Sequence, residues 1–193
     1  WAKGDISQRL PVLHKLADLI DERAEDLAKI ASQEMGKLIE QSRGEVKLCA
    51  QIARYYADNA KQFLAPVKYD SELGEAWVEH HPIGVLMAVE PWNFPYYQLM
   101  RVLAPNLAAG NPVILKPANT TPIVAALFQR LIPEYFDPQA VTVVTGGRAE
   151  ISELLELPFD FIFFTGSAAV GKVVMRAAAE HLVGVDLREP RHD

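Results

Sequence analysis

What this chain has little of narrows its chemistry first. It holds a single cysteine, Cys49, so neither an internal disulfide nor a multi-cysteine metal site can form within it. It has no cationic excess: 19 Lys and Arg stand against 25 Asp and Glu, for a net charge of −6. That balance leaves no footprint for nucleic acid, and no run of Lys or Arg points to anionic lipid. No apolar stretch approaches the roughly 18 residues of a membrane span. The start, Trp1-Ala2-Lys3-Gly4, lacks the charged-then-apolar order of a secretory signal. The expectation is a cytoplasmic protein that takes neither nucleic acid nor membrane as a partner. The first residue is not Met, which fits a processed chain or a fragment. Half of the 193 residues are hydrophobic and 23% are charged, enough for one well-filled core.

What is present is ordered by its spacing. Residues 6–35 read as one long amphipathic helix, with Leu13, Leu16, Ile20, Leu27 and Ala31 at helical intervals. Pro11 is expected in its first turn and Gly36 at its stop. A second helix runs through Val46, Cys49, Ile52, Tyr56, Ala60 and Phe63, and Pro66 ends it. Residues 67–82 alternate weakly around Gly74, which predicts a hairpin. Apolar runs at 83–89, 112–115, 141–145 and 160–164 predict strands buried on both faces. Helical patterns at 96–109, 122–132, 149–156 and 168–182 separate and follow them. Such alternation implies an α/β fold, a Rossmann-like parallel sheet with crossover helices. The expected divisions are a helical segment at 1–66, the hairpin at 67–82, the sheet region at 83–182 and a tail at 183–193.

Sheets of this kind bind ligands at the carboxyl ends of their strands, so the residues after each run are the candidates. After 83–89 comes Glu90-Pro91-Trp92-Asn93-Phe94-Pro95. Two prolines stiffen that loop. The Asn93 amide can donate hydrogen bonds without carrying charge, which suits a forming oxyanion; an ordinary turn asparagine is the simpler reading of Asn93 alone. After 112–115 comes Lys116-Pro117-Ala118-Asn119-Thr120-Thr121-Pro122. Thr121 and Pro122 look like an N-cap and first helical residue. Lys116 is either a surface lysine or a donor to ribose or phosphate. After 160–164 comes Thr165-Gly166-Ser167-Ala168-Ala169-Val170-Gly171-Lys172. A strand, a glycine turn and a helix start make an anion site from backbone N–H groups. The segment also nearly matches the P-loop pattern, with Val173 where Ser or Thr would hold magnesium. A P-loop NTPase therefore stays open as an alternative. Cys49 falls on an apolar stripe and reads as core packing. His80 and His81 adjoin each other, point opposite ways on a strand, and read as surface residues rather than a metal pair.

Together these loops resemble the aldehyde dehydrogenase superfamily. The resemblance rests on PWNFP at 91–95, KPANTTP at 116–122 and FTGSAAVG at 164–171, with AAGNPVILKP at 108–117 and EMGK at 34–37. Residues 9–110 are most similar to succinate-semialdehyde dehydrogenases, and 112–182 to the fatty and aromatic aldehyde branch. The resemblance implies the cofactor-binding part of an enzyme that oxidises an aldehyde to a carboxylic acid with NAD or NADP. It implies a homo-oligomer, with the hairpin as an oligomerisation excursion. By resemblance, Trp92 and Asn93 would lie near the reacting centre, with Asn93 donating to the oxyanion. Lys116, Pro117, Ala118 and Asn119 would line the adenine-side ribose, and Gly166, Ser167 and Val170 the pyrophosphate. Many NAD-preferring relatives carry Glu at the position of Asn119, so NADP is expected to be tolerated here. The family's nucleophilic cysteine and general-base glutamate lie beyond the cofactor part in relatives. The resemblance fades after Leu182, so the chain alone is expected to be inactive. A non-catalytic nucleotide-binding or interaction module is the other reading.

Overall fold

The apolar stripe over 6–35 folds as helix, but in two pieces. In the computed structural model, which describes residues 1–188, α1 (Ile6–Glu22) and α2 (Ala24–Met35) meet at Arg23. Arg23 has φ −106° and ψ 13°, outside the helical well. The break lets both pieces pack against α3 (Ile39–Phe63). Leu13, Ile20 and Ala31 keep their facing across one non-helical residue, which is why spacing alone predicts a single helix. Pro11 is the sixth residue of α1 rather than part of its first turn. It lies on the exposed face, where solvent can satisfy the carbonyl that its missing N–H abandons. Gly36 closes α2 at φ +67°, a conformation glycine adopts without strain.

The buried stripe of α3 is Val46, Cys49, Ala50, Ala53, Ala57 and Ala60. Alanines let α1 and α4 (Tyr97–Ala109) approach closely. Ile52 and Tyr56 are only half-buried, and Phe63, expected on the stripe, is exposed. The hairpin forms as expected. β1 (Val67–Tyr69) pairs antiparallel with β2 (Ala76–Val78), Val67 opposite Val78.

The remaining strands build one parallel sheet: β3 (Leu86–Val89), β4 (Val113–Lys116), β5 (Val141–Val143), β6 (Phe161–Thr165) and β7 (Gly184–Arg188), in the order β5-β4-β3-β6-β7. The helices between and after them are α4, α5 (Pro122–Tyr135), α6 (Arg148–Leu155) and α7 (Ala168–Glu180). β3 is buried on both faces: Ala88 packs into the cluster formed with α1 to α5, and Met87 and Val89 into the cluster with α6 and α7.

β7 stands where a tail was expected. It pairs parallel with β6, Phe161 opposite Gly184 and Thr165 opposite Arg188. Its sequence, GVDLR, is only partly buried at the sheet edge, so it shows no apolar run to find. The rest of the expected tail, 189–193, lies outside the described residues. Val170, Val173, Met175 and Leu187 are exposed on α7 and β7.

Candidate functional site

Strand order reverses between β3 and β6. The chain builds outward from β3 to β5, then returns to the other side of β3. A crevice opens at such a switch point, outside the carboxyl ends of the two strands. PWNFP leaves one side of it and Gly166-Ser167 the other.

The PWNFP loop is held from below by α2 and α3. Glu45 is buried, and its Oε1 accepts the backbone N–H groups of Tyr96 (2.8 Å) and Tyr97 (3.0 Å) at the start of α4. Its Oε2 binds the Lys37 ammonium at 2.6 Å. Lys37 sits 3.6 Å over the Phe94 ring and donates to the Asn93 carbonyl at 3.4 Å. The Asn93 side-chain Oδ1 accepts from Gln98 Nε2 at 3.3 Å. That leaves the Asn93 Nδ2 as a donor, in a half-buried position. Trp92 is exposed beside it.

The loop after β4 is pinned in the same way. Glu34, at the end of α2, accepts the N–H groups of Ile123 and of Val124 (2.9 Å), which open α5. Thr121 precedes α5 but its side chain makes no cap; its hydroxyl donates instead to the Ala118 carbonyl at 3.4 Å. A carboxylate from α2 has taken the donors that the threonine was expected to serve. Lys116 is not a surface lysine: it is 1% exposed and donates to the Pro117 carbonyl at 2.9 Å. Burial lowers its pKa, and the charge of Glu150 partly opposes that. Pro117 is buried, Ala118 half-buried and Asn119 exposed. At the neighbouring strand end, Glu150 accepts the Gly147 N–H at 2.6 Å and so caps α6 with its own side chain.

α7 differs. Its N-cap, Ser167, makes no side-chain bond, and its first turn holds no acid. The N–H groups of Ala168, Ala169 and Val170 have no intrahelical acceptor, and Val170 is partly exposed on that turn. Gly166 turns the chain so tightly that a Cβ there would stand 2.6 Å from the Phe164 ring, so no other residue fits without displacing that ring.

This geometry removes the P-loop reading. In that motif the residues between the two glycines form a loop around phosphate. Here Ala168 to Val170 are already helical, and Gly171 and Lys172 lie inside α7. Lys172 therefore projects from a helix rather than from the floor of a phosphate loop.

Beneath the crevice lies a contact that spacing did not reveal. Glu90, 2% exposed, binds Arg101 of α4 at 3.0 Å, and Arg101 also donates to the Thr165 hydroxyl. The three groups tie the ends of β3 and β6 to α4. Burial pushes the Glu90 carboxyl above its ordinary range, with Arg101 opposing. Glu34, Lys37, Glu45, Glu90 and Arg101 carry no local pattern. EMGK was the only signal pointing at two of them.

Cys49 is buried in α3, and burial, followed by the Glu45 charge, pushes its thiol well above its ordinary value. A thiol held protonated in the core is a poor nucleophile. His80 and His81 are exposed. Among the described residues no group of three His, Cys, Asp or Glu is placed to hold a metal ion, and no helix is long and apolar enough to cross a membrane.

A family model described as the aldehyde dehydrogenase family matches residues 1–188. The chain is 37% identical over 184 residues to succinate-semialdehyde dehydrogenase [NADP(+)] of Deinococcus radiodurans, covering 94% of this chain and 39% of that protein. It is 38% identical over 169 residues to aldehyde dehydrogenase family 3 member B1 of Homo sapiens, covering 88% of this chain and 36% of that one. The crystal structure of succinic semialdehyde dehydrogenase from Streptococcus pyogenes, in complex with NADP+, superposes with a TM-score of 0.90 at 36% identity, over 97% of this chain and 42% of that chain. The chain thus spans about two fifths of the length of these relatives. The match runs through β7, beyond Leu182 where the resemblance had been expected to fade.

Proposed function

The chain belongs to the aldehyde dehydrogenase family, and we propose that it is the part that binds NAD or NADP at the β3–β6 crevice. One observation carries this reading. Of the four helices that start at strand ends, α4 and α5 have N-terminal donors occupied by Glu45 and Glu34, and α6 carries Glu150 in its first turn, bound to the N-cap Gly147 N–H, while among the described residues α7 has no side-chain cap and no acid in its first turn. A helix start with free N–H groups and a glycine turn suits a pyrophosphate. Gly166, Ser167 and Val170 take that group. Lys116, Pro117, Ala118 and Asn119 line the adenine-side ribose. Trp92 and Asn93 lie beside the reacting end, where the Asn93 Nδ2 donates to the oxyanion that forms on the aldehyde.

When bound, the nicotinamide supplies the acceptor for hydride. This chain's residues bind and orient it, and Asn93 stabilises charge. The thiolate that attacks the aldehyde and the carboxylate that activates water come from outside the 193 residues, since Cys49 is sealed in the core. The working enzyme is a homo-oligomer that oxidises an aldehyde to a carboxylic acid. The test is calorimetric titration of the pure chain with NAD+ and NADP+, beside an absorbance assay for reduced cofactor with an aldehyde present. Saturable binding without turnover is expected. Turnover by the pure chain would refute the division of labour, and failure to bind either cofactor would refute the site.

A further inference from the structure

The region around Asn119 bears on which cofactor fits. Asn119 is neutral and exposed, which by itself gives no reason to reject a 2′-phosphate. A carboxylate is close by, however, on a different element. A Cβ at Gly147 would stand 3.6 Å from Asn119 Nδ2 and 3.9 Å from Glu150 Oε2. The amide and the carboxylate therefore flank one spot, at the mouth between the β4 loop and the start of α6. Glu150 is held there by its bond to the Gly147 N–H, and its side chain is exposed to an incoming ligand.

We infer that Glu150 supplies, from α6, the negative charge at the adenosine ribose that position 119 lacks, so that it discriminates against the 2′-phosphate of NADP. This rests on the cofactor reading above. A carboxylate there accepts from the ribose 2′-hydroxyl of NAD and repels a phosphate dianion. Lys116 and Glu150 each favour the charged form of the other, as opposite charges near one another do. Arg148 opens the same helix and is exposed. A cation there acts in the opposite sense, so the decisive change is at residue 150 alone.

The experiment is the ratio of NADP+ to NAD+ affinity for the unmodified chain and for Glu150→Gln. Glutamine keeps an oxygen for the Gly147 N–H, so the cap survives while the charge goes. The ratio is expected to move toward NADP+ by roughly 5-fold, with NAD+ affinity changing less than that. Raising salt should move the ratio of the unmodified chain the same way, because screening weakens repulsion, and should not do so in the variant. The salt series on the unmodified chain stands even if the variant does not fold. A ratio unchanged by both substitution and salt overturns the role of Glu150 while leaving the site intact. No binding of either cofactor to the unmodified chain overturns the site reading itself, and this inference with it.

Discussion

The loops after β3 and β4 and the loop after β6 stand on the same edge of one sheet, yet they are held differently. At the first two, α2 and α3 send carboxylates into the helix that follows: Glu45 to α4 and Glu34 to α5. At the third, among the described residues, Ser167 makes no side-chain cap and the first turn of α7 holds no acid. The difference gives the helical N-terminal segment a purpose beyond covering the sheet. It fixes the two loops that position side chains, and it sends no carboxylate to the helix start proposed above to receive the pyrophosphate. A loop whose donors are already satisfied has no need of an anion; one whose donors are free does.

The contrast can be broken most sharply at Glu45. Its carboxylate is buried with Lys37, and both serve the PWNFP loop. Glu45→Ala leaves a buried ammonium without its counter-charge and two backbone N–H groups without their acceptor, and should cost about 3–5 kcal/mol in urea unfolding. A buried ion pair is itself weak evidence of net stabilisation, so Lys37→Met combined with Glu45→Leu should recover part of that loss. A single-variant loss below about 1 kcal/mol would show that the loop does not depend on the brace.

The free side of the comparison is tested at Gly166. Gly166→Ala puts a methyl into the Phe164 ring and should cost about 1–3 kcal/mol by overpacking. Because the turn sets the aim of the α7 donors, cofactor affinity should fall by roughly 10-fold or more, about 1.4 kcal/mol. Phe164→Leu in the same chain should relieve the strain and restore part of both. Lost stability with unchanged affinity would place the pyrophosphate elsewhere.

How much of this was legible in the sequence follows from how local each feature is. The hairpin, four strands of the sheet and the helices between them announce themselves through apolar period and length. So does the strand–glycine–helix of 161–171, whose meaning is contained within eleven residues. The break at Arg23 is invisible because the stripe keeps its facing across it. β7 is invisible because a half-exposed edge strand needs no apolar run. The acids that pin the loops are invisible for a different reason. Glu45 lies 51 residues from Tyr96, and Glu34 lies 89 from Ile123, so their partners exist only once the chain has folded. Lys116 was ambiguous because a strand-end lysine reads the same whether buried or exposed.

Glu90 offers the smallest effect, and it compares two kinds of carboxylate within the molecule. Asp5, Glu25 and Glu150 have lowered pKa values because hydrogen bonds favour their charged forms. Their stabilising contribution is present above the unfolded-state value and is lost as pH falls. Glu90 is shifted the other way from its ordinary 4.5, chiefly by burial, and its Oε1 finds no hydrogen-bond partner. The folded chain therefore keeps this proton where the unfolded chain has released it. Its contribution is fullest below pH 4.5 and is lost as pH rises toward the folded pKa. Glu90→Gln removes only that dependence. The unfolding free energy of the variant minus that of the unmodified chain should therefore rise with pH from about 4.5 upward and then level off. A constant offset from Arg101, left with a weaker partner, does not alter that shape. A difference that instead falls with rising pH below about 4.5 and is flat above it would mean that Arg101 dominates burial, and that the Glu90–Arg101 contact belongs with the stabilising carboxylates.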